Sequence, residues 1–166
     1  DAPNFKINRV PIDDLYLANA EAFIPEPEKG SITDMTVTSD GLFYVVTTNG
    51  VKANAFFKTH DGGEVKALDI PVSAGALLLS AKGQKFSEVW MTATGWVTLT
   101  TRFRYDLETD TFTDETMSSK PEYPEFADVV VKEVEVESHD GAMVPVSIIH
   151  KKDIPMDGSA PMLVYG

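Results

Sequence analysis

The sequence has no cysteine, few basic residues and no long apolar run. The absence of cysteine from its 166 residues excludes disulfides, thiolate nucleophiles and thiolate metal ligands. A net charge of −12 argues against nucleic acid or an anionic membrane as a partner, because both call for a basic face. No segment approaches the roughly 18 apolar residues of a membrane helix, and residues 1–10 show no signal-peptide pattern. A cysteine-free domain is stable in either redox environment, so the composition leaves the cellular compartment open.

What remains is the composition of a globular protein, with 43% hydrophobic and 24% charged residues. Residues 5–10, 32–37 and 42–48 have β-type patterns, and helical periodicity is almost absent. Asn49-Gly50 between two such runs predicts a hairpin, because both residues accept the positive φ of a type I′ turn. A further turn at residues 61–63 completes a predicted four-stranded antiparallel meander.

The same pattern recurs about 44 residues later, counted from Ile32 to Ala76, which is the length range of one β-propeller blade. Its predicted strands are residues 75–81, 87–95, 96–106 and 111–113. The segments at residues 5–10 and 22–24 would be the outer strands of a preceding blade. A propeller needs at least about four blades to close. The sequence therefore predicts a partial β-propeller of about two to three blades.

The sequence changes character near residue 128, after the acidic, proline-containing linker "SKPEYPEFAD". The segments "VVVKEVEVES" and "MVPVSIIHKK" are longer than the earlier strands, and they flank His139-Asp140-Gly141. This arrangement predicts a hairpin that belongs to a different domain. We therefore place one domain at residues 1–127 and a second at residues 128–166.

Residues 131–166, "VKEVEVESHDGAMVPVSIIHKKDIPMDGSAPMLVYG", resemble the prolyl oligopeptidase family of serine peptidases. Family members have a strand, a Ser-x-Asp-Gly turn, a second strand ending in two lysines, an Asp-Gly loop, and a strand leading into a Tyr-Gly-rich oxyanion loop. Upstream, "DAPNFKINRV" and "GWVTLTTRFRYDLETDTF" resemble the later blades of that family's seven-bladed propeller. The resemblance implies an α/β-hydrolase domain capped by a propeller, which cleaves short peptides, typically after proline.

The expected fold is mainly β, with a partial β-propeller followed by the first strands of an α/β-hydrolase domain. Residues 161–165 are predicted to form a strand that enters the central sheet of that domain, so we expect the chain to be a segment of a larger enzyme. The resemblance implies that the rest of the propeller and hydrolase domains are its partners, and that short peptides are the substrates of the parent enzyme. It implies no cofactor. Tyr165 matches the tyrosine that precedes the family's oxyanion tyrosine, so it is not assigned that role.

No serine lies in the Gly-x-Ser-x-Gly pattern of a nucleophile elbow. Ser31 follows Gly30 but has Thr33 where the second glycine is needed, and Ser159 follows Gly158 in a loop between predicted strands. Both are interpreted as turn residues.

The three histidines lie in turns or at a strand end. His60 and His139 each precede an Asp-Gly turn, and His150 ends a predicted strand beside two lysines. A triad histidine must contact both a serine and a carboxylate, and the resemblance puts the family's histidine downstream of this chain. We predict no catalytic residue, and no peptidase activity, for these 166 residues.

The nearest candidate metal site is "DLETDTFTDE", in which Asp106, Glu108 and Asp110 have the alternate spacing of a calcium loop. Thr111 stands where such a loop needs glycine, and Met117 where it needs glutamate. The segment is interpreted as a hairpin turn, and no metal site is predicted.

Aromatic residues are concentrated in the predicted strands, where a propeller packs them between blades. We predict a core role for Phe43, Tyr44, Phe56, Phe57, Trp90, Trp96, Phe103 and Tyr105. The alternative is that one or two of these residues face the central tunnel and contact substrate.

Two functional hypotheses follow. The chain is either a non-catalytic segment of a prolyl-oligopeptidase-like serine peptidase or a stand-alone β-rich binding module. A gene that continues with Tyr-Gly-Gly and a later Gly-x-Ser-x-Gly supports the first hypothesis. In either case unpaired strand edges and open sheet faces predict that the isolated chain self-associates.

Overall fold

A computed structural model describes residues 2–116 and 123–165. Within them the protein is mainly β, with four small antiparallel sheets and no α-helix; single 3₁₀ turns occur at Leu17–Asn19 and Pro124–Phe126. The mainly β prediction is therefore confirmed. The chain divides into two compact units, residues 1–119 and 120–166. The assignment of residues 1–127 to a propeller and of residues 128–166 to a hydrolase domain stays a prediction.

Three of the four sheets lie in the first unit. Strand β1 pairs with β2, while β3 to β6 and β7 to β10 each form a four-stranded meander in chain order. The two predicted meanders are thus confirmed. The strands are β1 (Ile7–Arg9), β2 (Glu21–Ile24), β3 (Ser31–Val37), β4 (Gly41–Thr48), β5 (Lys52–Thr59), β6 (Lys66–Ala67), β7 (Ala76–Ala81), β8 (Val89–Thr94), β9 (Thr101–Asp106) and β10 (Thr111–Asp114).

The turn between β4 and β5 forms at the predicted Asn-Gly pair. Asn49 and Gly50 have φ angles of 54° and 71°, as a type I′ turn requires at both central positions. The Val51 N–H donates to the Thr48 carbonyl oxygen at 3.2 Å and closes the turn. This turn sets the register in which Thr48 lies opposite Lys52.

Strand β4 is buried on both faces. Phe43 and Val45 belong to a core between the two four-stranded sheets, which also contains Met91 of β8. Leu42 and Tyr44, which point the other way because side chains alternate along a strand, pack in a second cluster with residues of β2. The first four-stranded sheet is therefore the central layer of the unit.

Polar contacts also join the two four-stranded sheets, at their first strands and at the loops that follow these strands. A β-bulge interrupts β3 between Ile32 and Asp34, and the Asp34 Oδ2 atom accepts a hydrogen bond of 2.7 Å from the Leu79 N–H on β7. The Ser39 N–H donates to the Phe86 carbonyl oxygen at 2.9 Å. These bonds satisfy backbone donors that the sheets' own ladders leave free.

Most of the aromatic residues predicted for the core are buried. The buried ones are Phe43, Tyr44, Phe57, Phe103 and Tyr105. Phe56 and Trp90 are half-buried. Trp96 is 56% exposed, so its prediction as a core residue was wrong.

The exposure of Trp96 has a local cause. The strand predicted over residues 96–106 begins only at Thr101, because residues 95–98 turn: the Gly95 N–H donates to the Thr98 carbonyl oxygen at 3.0 Å. The Thr98 hydroxyl donates to the Ser73 carbonyl oxygen at 2.9 Å and anchors the turn. Trp96 therefore lies in a turn, outside the alternation that buries strand residues.

The second unit contains the predicted hairpin, made of β11 (Val129–Glu137) and β12 (Met143–Lys151). The Gly141 N–H donates to the Ser138 carbonyl oxygen at 2.9 Å, and Gly141 has a φ of 82°. Residues 161–165 pair with no described strand, and Tyr165 is 95% exposed. Their strand was predicted within the central sheet of a larger domain, so it stays a prediction. An extended segment becomes a strand only where a neighbour completes its hydrogen-bond ladder, and no described strand pairs with this one.

Candidate functional site

A cleft of ≈ 550 Å³ opens at the edge where the two four-stranded sheets meet. The buried rings of Phe57 and Tyr105 contribute to its wall. The remaining lining residues come from turns and strand ends of both sheets: Asp40, Thr59, Ser87, Glu88, Arg104, Asp106, Leu107 and Glu108. Four carboxylates and one guanidinium make this cleft acidic.

Two of these carboxylates are stabilised in their charged form. Hydrogen bonds from its own backbone N–H and from Lys82 hold the pKa of Glu88 below its usual value, with Arg104 adding to the effect. The backbone N–H groups of Thr109 and Glu108 similarly lower the pKa of Asp106. Both groups are negative at neutral pH, and their partners come from the turns themselves. Glu88 and Asp106 therefore support local backbone structure.

Tyr105, which lines the cleft, also belongs to a three-residue polar cluster with Lys66 and Asp110. The Lys66 Nζ atom lies 2.8 Å from the Asp110 Oδ1 atom, and the Tyr105 hydroxyl donates to that oxygen at 2.6 Å. The hydrogen bond from Lys66, and then that from Tyr105, lowers the pKa of Asp110. Burial is the main cause of the raised pKa of Tyr105. The cluster joins β6 of one sheet to the turn after β9 in the other.

Two of the residues weighed and rejected as a calcium loop, Asp106 and Asp110, form structural contacts. Asp106 caps the turn and Asp110, which has a φ of 55°, pairs with Lys66, while Met117 lies outside the described residues. No group of three or more His, Cys, Asp or Glu side chains within residues 2–116 and 123–165 has an arrangement that could hold a metal ion.

The two candidate serines have structural contacts. The Ser159 hydroxyl donates to the Asp157 Oδ1 atom at 2.6 Å and thereby lowers the pKa of Asp157, and Gly158 between them has a φ of 84°. Ser31 is the first residue of β3 and lies opposite Thr47 of β4. Neither serine has a hydrogen bond to a histidine in the described part of the chain.

The three histidines contact neighbouring backbone or one nearby hydroxyl. The His60 Nε2 atom lies 2.9 Å from the Thr38 carbonyl oxygen, and the His150 Nδ1 atom lies 2.8 Å from the Lys151 carbonyl oxygen. The His139 Nδ1 atom lies 3.3 Å from the Ser138 hydroxyl, within one turn. Among the described residues no histidine bridges a serine and a carboxylate, as general-base catalysis by a triad requires.

Two pairs of side chains in contact could not be found from the sequence. The first pair is Lys66 with Asp110. The second is Arg102 with Trp90: the Arg102 Cζ atom lies 5.2 Å from the centre of the Trp90 ring. Cross-strand alternation would place Trp90 and Arg102 on one face once the pairing of β8 with β9 is known. The register of β8 against β9 is known only from the folded structure.

The chain aligns from end to end with a segment of a much longer relative. It is 27% identical over 171 residues to the dual function macrocyclase-peptidase POPB of Galerina marginata, a match that covers 100% of this chain and 23% of POPB. The chain is homologous to a segment of prolyl oligopeptidase family proteins. No family model matches it. The family resemblance seen in the sequence is thereby confirmed, over about a quarter of the relative's length.

Solved structures of this family contain the same fold. A prolyl endopeptidase structure matches 96% of this chain with a TM-score of 0.79 at 20% identity, and the match covers 23% of that chain. POPB of Galerina marginata bound to a 35mer hydrolysis and macrocyclization substrate matches 96% of this chain with a TM-score of 0.77 at 23% identity, over 22% of POPB.

Within the described residues, no helix is both long and apolar enough to span a membrane.

Proposed function

We propose that the chain is a non-catalytic segment of a prolyl-oligopeptidase-like serine peptidase. In this assignment the sheets β3 to β6 and β7 to β10 are two successive blades of a β-propeller. The β1–β2 pair supplies the outer strands of the preceding blade, and the β11–β12 hairpin supplies the first strands of the α/β-hydrolase domain. The parent enzyme would hydrolyse short peptides, typically after proline.

One observation carries this proposal: the sequence match to POPB covers the whole chain. A shared blade repeat alone would align the two four-stranded sheets and leave the hairpin of the second unit unmatched. Instead the alignment continues through both units, which supports the order of propeller blades followed by hydrolase strands. It also favours the enzyme segment over a stand-alone binding module.

The described contacts support a structural role for this segment within the enzyme. Acyl transfer by a serine peptidase needs a serine, a histidine that takes its proton, a carboxylate that orients the histidine, and donors for the oxyanion. Instead, Ser159 bonds to Asp157, and the three histidines contact backbone carbonyl oxygens or the hydroxyl of Ser138. We therefore assign the catalytic groups to parts of the enzyme outside these 166 residues, and to this segment the packing of the blades.

The test compares the 166-residue chain with the complete product of the reading frame that encodes it. Both are incubated with a serine-directed fluorophosphonate and with a short chromogenic peptide containing proline. We expect the complete product to be labelled stoichiometrically and to hydrolyse the peptide, and the 166-residue chain to do neither. Labelling of the short chain would overturn the proposal, and Ser31→Ala and Ser159→Ala variants would then identify the nucleophile. A complete product that is folded but inactive would equally contradict it.

A further inference from the structure

The turn between β4 and β5 holds the one Asn-Gly pair of the sequence, Asn49-Gly50, and both residues are exposed. Glycine has no Cβ to shield its backbone nitrogen, so this nitrogen is an accessible nucleophile for the preceding side-chain amide. Among the described residues, neither the Asn49 side chain nor the Gly50 N–H forms a hydrogen bond. A Cβ placed on Gly50 would meet nothing within 4 Å, so the turn leaves open space around the two reacting groups.

Aspartate followed by glycine undergoes the same cyclisation, and the chain has four such pairs, but the fold protects them. In two pairs the glycine nitrogen is engaged. The Gly62 N–H donates to the Thr59 carbonyl oxygen at 3.1 Å. The Gly141 N–H donates to the Ser138 carbonyl oxygen at 2.9 Å. A nitrogen whose proton is held in a hydrogen bond is a weaker nucleophile. The four pairs are Asp40-Gly41, Asp61-Gly62, Asp140-Gly141 and Asp157-Gly158.

The other two Asp-Gly pairs are protected in different ways. The Asp157 carboxylate accepts hydrogen bonds from the Ser159 hydroxyl and N–H, which lower its pKa and keep it charged. A charged carboxylate is a poor electrophile, because it lacks a leaving group. Gly41 is buried, and a Cβ placed there would lie 2.3 Å from the Lys58 carbonyl oxygen, so a ring has no room to close. Asn49 is therefore the reactive site among the five pairs.

We propose that Asn49 is a site of spontaneous covalent modification, at which the asparagine becomes aspartate or isoaspartate through a cyclic imide. The Gly50 nitrogen loses its proton to solvent and bonds to the Asn49 Cγ atom. The Cγ–Nδ2 bond breaks, and the side-chain nitrogen takes up a proton and leaves as ammonia. Water then adds to one of the two ring carbonyls. Opening at the side-chain carbonyl gives aspartate, and opening at the main-chain carbonyl gives isoaspartate. The net change is the hydrolysis of one amide.

The two products affect the hairpin differently. Aspartate keeps the backbone and adds one negative charge to a chain that already carries −12. Isoaspartate routes the main chain through Cβ and lengthens it within the turn. The type I′ turn depends on the φ angles of 54° and 71° at these two positions, and it sets Thr48 opposite Lys52. Isoaspartate at position 49 therefore weakens the pairing of β4 with β5.

The test incubates the folded 166-residue chain in mildly alkaline buffer for several weeks and digests samples with pepsin at acid pH, where the imide forms slowly. Mass spectrometry follows the replacement of the amide by an acid, and a protein isoaspartate methyltransferase labels isoaspartate. We expect both products at residue 49, and faster formation at higher pH. Asn19 is the internal control, because it is exposed but precedes alanine, and its Nδ2 atom donates to the Asp14 Oδ2 atom at 2.8 Å.

Two comparisons test the chemistry and the selection of the site. Gly50→Ala should slow the reaction at least about tenfold, because the added Cβ hinders attack by the nitrogen. In guanidinium chloride, which breaks the hydrogen bonds of Gly62 and Gly141, isoaspartate should also appear at Asp61 and Asp140. Reaction at Asn19 as fast as at Asn49, an unaltered rate in Gly50→Ala, or isoaspartate at the folded Asp-Gly pairs as fast as at residue 49 would overturn the proposal.

A matched variant tests the effect on the hairpin. Asn49→Asp has the charge of both products and an unaltered backbone. Anion exchange separates the modified chain, and its isoaspartate form should have a lower urea midpoint than Asn49→Asp. Equal midpoints would contradict the predicted weakening of the hairpin. No step requires peptidase activity, so the outcome is independent of the peptidase assignment.

Discussion

Lys66 and Asp110 form an ion pair between two different sheets, with the Nζ and Oδ1 atoms 2.8 Å apart. Strand β6 has only two residues, and Asp110 lies in the turn between β9 and β10, so the pair joins the outermost parts of both meanders. The Tyr105 hydroxyl shares the same oxygen and connects the pair to the core between the sheets.

Asp110→Asn should remove a pH-dependent part of the stability. The folded-state pKa of Asp110 lies below its ordinary value of 3.8, so its carboxylate stabilises the fold above that value, and this contribution is lost as the pH falls through the folded pKa. We expect the wild type to have a higher urea midpoint than Asp110→Asn at pH 6, and the two midpoints to converge below pH 3.8.

Asp40→Asn is the matched control, because Asp40 lines the neighbouring cleft and, among the described residues, forms no ion pair with a lysine. The difference in urea midpoint between Asp40→Asn and the wild type should vary less with pH. If the midpoint difference of Asp110→Asn is constant from pH 6 to pH 3, the ion pair has no role in stability.

Phe43→Ala should be strongly destabilising. Phe43 is fully buried, and its ring centre lies 4.7 Å from that of Phe57 and 6.0 Å from that of Tyr105. Truncation leaves a cavity between the sheets, and we expect a loss of about 3–5 kcal/mol in the free energy of unfolding. Trp96→Ala removes a larger but exposed ring and should cost within about 0.5 kcal/mol. If urea unfolding shows that both substitutions lower the free energy of unfolding equally, Phe43 does not belong to the core.

Gly30→Ala should cost more than Gly50→Ala. Both glycines have a positive φ, 79° and 71°, so both substitutions incur the penalty of about 1–2 kcal/mol for a left-handed alanine. A Cβ atom at Gly30 would also lie 2.5 Å from the Thr47 carbonyl oxygen, whereas a Cβ at Gly50 would meet nothing within 4 Å. Differential scanning calorimetry should show a lower midpoint temperature for Gly30→Ala. Identical midpoint temperatures would mean that the close contact at Gly30 adds nothing to the cost of the positive φ.

The isolated chain should self-associate through the apolar face of the hairpin. Val136 lies opposite Val144, and these side chains are 49% and 44% exposed. Val146 continues the same face. Sedimentation velocity should show a weight-average mass that rises with concentration, and Val144→Lys should reduce this rise. A monomer at every concentration, in both proteins, would exclude this surface.

Local signals in the sequence were enough to predict most of the strand order. Asn49-Gly50 and Asp140-Gly141 specify their turns through residues that accept positive φ, and the apolar alternation of residues 42–48 identifies a strand. The strand predicted over residues 96–106 begins only at Thr101, because the bond from Gly95 to Thr98 forms a turn and the bond from Thr98 to the distant Ser73 anchors it, which overrides β propensity there.

Side-chain pairs between sheets were beyond sequence reasoning. Lys66 and Asp110 become neighbours only when two separate meanders pack together, and Arg102 reaches Trp90 only through the register of β8 against β9. The sequence around each of these residues resembles that around any solvent-exposed charged residue. The candidate serines and histidines, by contrast, could be weighed from their neighbours in sequence, because a nucleophile elbow is a local structure.

The burial of β4 on both faces predicts how this strand tolerates substitution. On β9, charged and apolar residues alternate, so a complete set of point variants should show tolerance with a period of two. Strand β4 has no such permissive side: Leu42, Phe43, Tyr44 and Val45 each contact one of two cores. Its substitution profile should therefore be uniformly restrictive, and relatives of this chain should accumulate their differences on β9 well before they accumulate them on β4.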